Sequence, residues 1–102
     1  MRQFDVIENP SSRSRRHAPY FVVLQSHYME PLDTVIVAPV IRDAIRALTV
    51  LDVPVEVDGE TLLLTIGELF AIEREILKTV RASLADQEDA IRRAIGRAFT
   101  GF

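Results

Sequence analysis

Two histidines, one Ser-His neighbour pair and a burst of arginine are the residues of this chain with chemistry to offer. Ser26 and His27 are adjacent, and His17 sits in NPSSRSRRHAP, the stretch that carries Arg13, Arg15 and Arg16. A hydrolytic triad needs a nucleophile, a base and an orienting group that converge in space, and adjacency in sequence does not supply that, so Ser26 and His27 read as loop residues. Neither histidine has the closely spaced His, Asp or Glu companions of a zinc helix or ribbon, so no metal is expected. Cysteine is absent, which excludes disulfides and thiolate chemistry. The glycines, at 59, 67, 96 and 101, are scattered and build no phosphate-cradling loop, so no cofactor is expected. The arginine cluster has the charge to hold RNA phosphates, but Tyr20 is the sole aromatic beside it. Its composition reads as a solvated polar loop closed by Pro19.

A different kind of chemistry stands at the other end, in Phe99-Thr100-Gly101-Phe102. Phe99 continues an apolar helical stripe and reads as core. Phe102 follows a glycine that gives the chain turning freedom, and it has two readings: a ring tucked into its own subunit, or a rim aromatic that anchors an interface.

The 102 residues suffice for one domain, and 48% hydrophobic with 26% charged residues is a globular composition. A net charge of -3 argues against a surface specialised for nucleic-acid phosphates. Asp5, Glu8, Pro10 and Pro19 interrupt the first twenty residues, so no signal peptide is read there, and no run approaches the ~20 apolar residues of a membrane span. A cytoplasmic location is the expectation.

The elements follow from periodicity. QFDVIE alternates as a half-buried strand over about residues 3 to 8, ending at Asn9-Pro10. Residues Tyr20 to Leu24 and Thr34 to Ile41 are Val- and Ile-rich runs of strand length, with QSHYMEPLD as the turn between them. Pro39 must lie at a strand end, an edge or a bulge, because it cannot donate to a ladder. In VPVEVDGETLLLTI, Asp58-Gly59 suits a two-residue hairpin turn that sets Val57 opposite Glu60, Val55 opposite Leu62 and Val53 opposite Leu64. Leu84, Ile91, Ile95 and Phe99 then mark a helix from Leu84 to Phe99, with Ser83 or Asp86 as its cap. The pairs Glu88 to Arg92 and Asp89 to Arg93 each add about 0.2–0.5 kcal/mol, whereas Gly96 costs roughly 1 kcal/mol relative to Ala. Propensity alone makes Gly67 to Ala82 helical.

Taken together, the segments QFDVIENP, FVVLQS, VIVAPV, PVEVDGETLLLT and SL...AIRRAIGRAFTGF, in this order and spacing, resemble the CcdB toxins of type II toxin-antitoxin modules over nearly the whole chain. The resemblance implies an α+β, mainly β fold: a small SH3-like, CcdB/MazF-type antiparallel barrel with an extra small sheet and one C-terminal helix, assembled as a homodimer. It also implies strand within Leu69 to Val80, against propensity. The implied function is that of a binding poison rather than an enzyme, one that engages the A subunit of DNA gyrase and is neutralised by a CcdA-like antitoxin with a disordered C-terminal half. The residues carried over as target-binding are Phe99, Thr100, Gly101 and Phe102, with Tyr28 and Met29. This chain departs from the family pattern at Thr100, where relatives have tryptophan, at Tyr28-Met29, where they have a short aliphatic pair, and at Gly96, often a polar amide. Two alternatives stand beside this reading. One is a MazF-like endoribonuclease that places Arg13, Arg15, Arg16 and His17 on RNA, and the other is a degenerate member that keeps only dimerisation and antitoxin binding.

Overall fold

The computed structural model describes residues 1–26, 32–42 and 48–101. Among the described residues seven strands, β1 (Asp5–Glu8), β2 (Tyr20–Val23), β3 (Thr34–Ile41), β4 (Asp52–Val57), β5 (Glu60–Thr65), β6 (Phe70–Glu73) and β7 (Val80–Ser83), precede one α-helix, α1 (Glu88–Thr100). The strands pair in the order β4-β5-β3-β2-β1-β7, with β6 joining as a branch on β3, and every pairing is antiparallel. The sheet curls into a half-barrel with α1 packed against it, the fold class that the resemblance implies.

The hairpin takes the expected register, Val57 opposite Glu60, Val55 opposite Leu62 and Val53 opposite Leu64. Asp58 and Gly59 both have positive φ, 51° and 78°. That pair of dihedrals twists a two-residue turn in the same sense as the strands it joins. One face of the hairpin therefore delivers Val53, Val55, Leu62 and Leu64 to the main core, together with Val6, Val22, Val40, Leu84 and Ile91. Leu63 faces the other way and closes a small cluster with Ala18 and Ile41.

β2 and β3 read as continuous apolar runs because both of their faces are covered. Val22, Ala38 and Val40 meet the helix side, while Phe21, Val23, Val35 and Val37 form a second cluster with Ile7 and Leu77. Phe70 on β6 meets Phe21 edge-on, with ring centroids 5.2 Å apart.

Pro39 is accommodated by a change of partner. Leu24 N donates to Ile36 O at 2.9 Å in the β2-β3 ladder; bonding alternates along an antiparallel pair, so Pro39 turns its backbone away from β2. On that far edge β6 pairs only with residues Thr34 to Val37 and β5 only with Val40 and Ile41. The missing N–H thus falls in the gap between two partners, and the Pro39 carbonyl is met there by the buried Thr65 hydroxyl at 2.9 Å.

Two element boundaries and one cap are corrected. The first strand begins at Asp5 rather than residue 3, because Phe4 takes a φ of 70°. Its N–H donates to Val23 O and its carbonyl accepts from Leu84 N, which ties β1 to β2 and to the approach of the helix. The helix starts at Glu88 instead of Leu84, since Ala85–Gln87 form a tighter 3-10 turn. Neither Ser83 nor Asp86 caps it, for the Ser83 hydroxyl accepts from Ala85 N within that turn. Residues 67 to 82 hold β6 and β7, joined through a second short turn at Arg74–Ile76, so the strand that the resemblance implies within Leu69 to Val80 forms and the helix that propensity favours does not. Ile72 and Leu77 supply the reason, since an extended path lets both reach the second cluster.

A methyl group at Gly59 would meet nothing within 4 Å, so the cost of Gly59→Ala is backbone conformation alone. The substitution is expected to lower stability by about 1 kcal/mol, read as a lower urea midpoint with an unchanged denaturant slope.

Candidate functional site

Two surface features collect the residues singled out by sequence: the end of α1 and a cleft beside the loop between β1 and β2. Along α1 the apolar stripe emerges from the core. Ile91 and Ala94 are fully buried, Ile95 is half-buried, and Phe99 is 70% exposed. The expectation that Phe99 continues the core is therefore overturned, because the contacts of the helix with β4 and with the turn at Ile66–Glu68 leave its last turn uncovered. Glu88 pairs with Arg92 at 3.1 Å across one turn, and the Arg92 guanidinium also lies 5.3 Å from the ring centre of Phe4. The Thr100 hydroxyl donates back to the Gly96 carbonyl at 2.6 Å, and Gly101, with φ 78°, ends the helix. Of the proposed contact residues, Phe99, Thr100 and Gly101 thus share one exposed helix end. Tyr28, Met29 and Phe102, and also His27, lie outside the described residues.

The arginine-rich loop is solvated at its side chains but built at its backbone, which refines the sequence expectation. Buried Asn9 organises it: its Nδ2 donates to Ala18 O at 2.7 Å and to Ser14 Oγ at 2.9 Å, while its Oδ1 accepts from Ser11 N. Arg42, just past β3, binds three successive loop carbonyls: its backbone N donates to His17 O, and its Nη1 to Arg15 O and Arg16 O. Its Nε reaches Glu60 at 3.1 Å. Arg15 and Arg81 converge on Glu8, at 3.4 Å and by a double bond pair from Nε and Nη2 respectively. The outcome is a cleft of about 530 Å³ in which Arg15, Arg16, Arg42 and Arg81 surround Tyr20, with Glu8 and Asp58 among them.

The Arg81 hydrogen bond, reinforced by the Arg81 and Arg15 charges and opposed by desolvation, holds the Glu8 carboxyl below the usual carboxylate range. Burial pushes the Tyr20 phenol up, and the charges of Asp58 and Glu60 add to the rise. Tyr20 therefore stays protonated at neutral pH, a hydrogen-bond donor at the cleft. Sequence reasoning flagged Arg13, Arg15, Arg16 and Tyr20 but missed Arg42, Arg81, Glu8 and Asp58. An isolated charge on or beside a strand carries no periodic signal, although Arg42 directly after an eight-residue apolar run is the clue that was there to use. Arg13 and His17 do not line the cleft.

Among the described residues, no group of three or more His, Cys, Asp or Glu is arranged to hold a metal, and no helix is long and apolar enough to cross a membrane.

The family model of the CcdB protein matches residues 3–101. The chain belongs to the CcdB family. As a CcdB-family protein it is a toxin of a toxin-antitoxin system. No curated protein matches it. Among solved structures, one described as an Mtb toxin is similar at 26% identity and a TM-score of 0.70, over 92% of this chain and 99% of that one. The Mycobacterium tuberculosis toxin MazF-mt6 is similar at 25% identity and a TM-score of 0.71, over 96% of each chain. An endoribonuclease in complex with its cognate antitoxin, from a mycobacterial species, shares the fold at 9% identity and a TM-score of 0.69, over 96% of this chain and 93% of that one. CcdB-family and MazF toxins thus meet on one scaffold here.

Two outcomes follow from this geometry. Phe99→Ala is expected to change folding stability by less than about 0.5 kcal/mol, because the ring is exposed and takes part in no buried packing; thermal melting measures it. Glu8 has a lowered pKa in the fold, so the stability it contributes is fully present above the ordinary carboxylate value near ~4.3 and fades as pH falls through its lower folded value. The stability gap between the native chain and Glu8→Gln should therefore be open at pH 7 and close below that range, as followed by urea midpoints against pH.

Proposed function

We propose that this toxin acts by binding the A subunit of DNA gyrase through the exposed end of α1, with Phe99, Thr100, Gly101 and Phe102 as the contact segment and Tyr28 and Met29 beside it. The reading is carried by one observation: Phe99, on the last turn of the helix, is 70% exposed, where a soluble chain gains nothing from an uncovered ring. A partner that buries it gains roughly 1.5–3 kcal/mol per ring. A homodimer would place two such ends about one two-fold axis, so that a symmetric target meets the same patch twice. With threonine at position 100, the phenylalanines on either side take the anchoring role that an indole has in other members.

In this reading the protein works in the cytoplasm as a non-enzymatic poison. A CcdA-like antitoxin neutralises it by covering the same helix end. The similarity to an endoribonuclease bound to its antitoxin supports a scaffold suited to such a partner. The MazF-like alternative draws support from the solved toxins and the arginine cleft. Its weak point is the base: among the described residues Glu8 is ion-paired and His17 is not part of the cleft, which leaves Asp58 on the hairpin turn as the lining carboxylate for that role.

The test is gyrase inhibition by purified protein, scored as loss of supercoiling and accumulation of cleaved DNA. Phe99→Ala and removal of Phe102 should each weaken inhibition about tenfold or more, in line with the loss of one buried ring. Toxicity on induced expression that ignores both changes and persists in hosts with altered gyrase would sink the proposal. Cleavage of RNA by the purified protein, lost in Arg16→Ala, would put the ribonuclease in its place.

A further inference from the structure

The outer face of α1 carries more than its exposed ring. Successive helical residues turn by about 100°, which divides that face into two borders and a floor. Ile95 and Phe99 lie along one border, Arg93 and Arg97 along the other, and Gly96 and Thr100 run between them. The floor is low: Gly96 has no side chain, and the Thr100 hydroxyl is turned back onto the Gly96 carbonyl at 2.6 Å. Glycine inside a helix weakens it and suits a place where another backbone comes close. Both border arginines are exposed, and neither has a side-chain partner among the described residues. The Asp89 to Arg93 pair that the spacing favours does not form, while the neighbouring Glu88 to Arg92 pair does. The helix dipole accounts for a cation in the last turn, Arg97. It does not account for Arg93, a full turn earlier and about 6 Å back along the axis.

We propose that this face receives an acidic segment of a partner protein, which crosses α1 over Gly96 with an apolar side chain against Phe99 and carboxylates on Arg93 and Arg97. The inference rests on the reading that a partner covers the end of α1, and it adds the charge which that partner carries. A guanidinium grips a carboxylate through two parallel N–H donors. Two free guanidiniums one turn apart therefore select two carboxylates at matching spacing, one turn apart on a helix or two residues apart on a strand. A second copy of the chain is the poorer occupant, since it would bring the same two arginines against these. A lipid surface is poorer too, because Ile91 and Ala94 are spent on the core and one ring is too little apolar face for an interfacial helix.

The experiment uses the full chain and a fluorescein-labelled peptide of two heptads, with leucine at a and d, glutamate at c and g and alanine elsewhere, beside the same peptide with glutamine for glutamate. The glutamate peptide should bind at least about fivefold more tightly at low salt, and the gap should close as salt rises. Arg93→Gln combined with Arg97→Gln breaks no side-chain bond among the described residues, and it should remove the gap with the melting temperature nearly unchanged. Phe99→Ala should weaken both peptides alike, and Gly96→Gln should raise the melting temperature yet weaken both. The proposal is overturned by no binding of the glutamate peptide, by equal affinity for the two peptides, or by full binding in Gly96→Gln. It is equally overturned by a preference that survives in the double variant and so belongs to the arginine cleft, by tighter binding to phosphatidylglycerol vesicles, or by self-association that the double variant abolishes. Absence of gyrase inhibition with the peptide preference intact sinks the gyrase reading alone and supports this one.

Discussion

A proline in the middle of the central strand constrains everything around it. Pro39 has no N–H, and a sheet in which β3 met one continuous partner along its far edge would leave that partner's carbonyl without a donor. The fold divides the partner instead. From Val40 opposite Leu64 to Val37 opposite Phe70, seven residues of the partner segment pass four of β3, and the excess is taken up by the turn at Ile66–Glu68. That turn brings Thr65 to the proline carbonyl and buries Ile66 under the helix. It also separates β5, which extends the half-barrel, from β6, which covers the second apolar cluster. One residue type thereby determines how the two cores are partitioned.

The same economy of polar groups builds the cleft. The loop between β1 and β2 crosses the surface without regular structure, and its carbonyls must be met by something. Asn9 and Arg42 meet them from opposite sides, the first buried at the end of β1 and the second at the end of β3. Because Arg42 is spent largely on the scaffold, the charge that stays available belongs to Arg16 and to the spare nitrogens of Arg42 and Arg81. The cleft shares no lining residue with the end of α1.

The helix end answers to packing rather than to polarity. α1 is anchored through Ile91 and Ala94, with Leu84 buried just ahead of it, and the sheet beneath offers no cover for the last turn. An apolar stripe that outruns its own core presents an unpaired ring at a fixed position on a rigid helix. CcdB-family membership and the shared fold with MazF-type toxins give this surface its context: one scaffold, with function placed in what its edges present.

The hairpin at Asp58-Gly59, the runs of β2 and β3, and the stripe of α1 were all legible from sequence, because each is local: turn dihedrals, a period of two and a period of three to four are written in neighbouring residues. The region from 67 to 82 was legible only through the family resemblance, since good helix formers there are overruled by distant apolar partners that only an extended path lets them reach. The same holds for Phe99, whose spacing matches the core stripe although the core ends one turn earlier. Arg42 and Arg81 joined Arg16 and Tyr20 only when pairings between residues far apart in the chain brought β1, β2, β3 and β7 together. Sequence by itself determined the hairpin, the strands β2 and β3, the helix and the family, since all are patterns of near neighbours in order. Tertiary structure alone decided which side chains are left over, because exposure and spare hydrogen-bonding capacity are properties of the whole packed chain and of no segment within it.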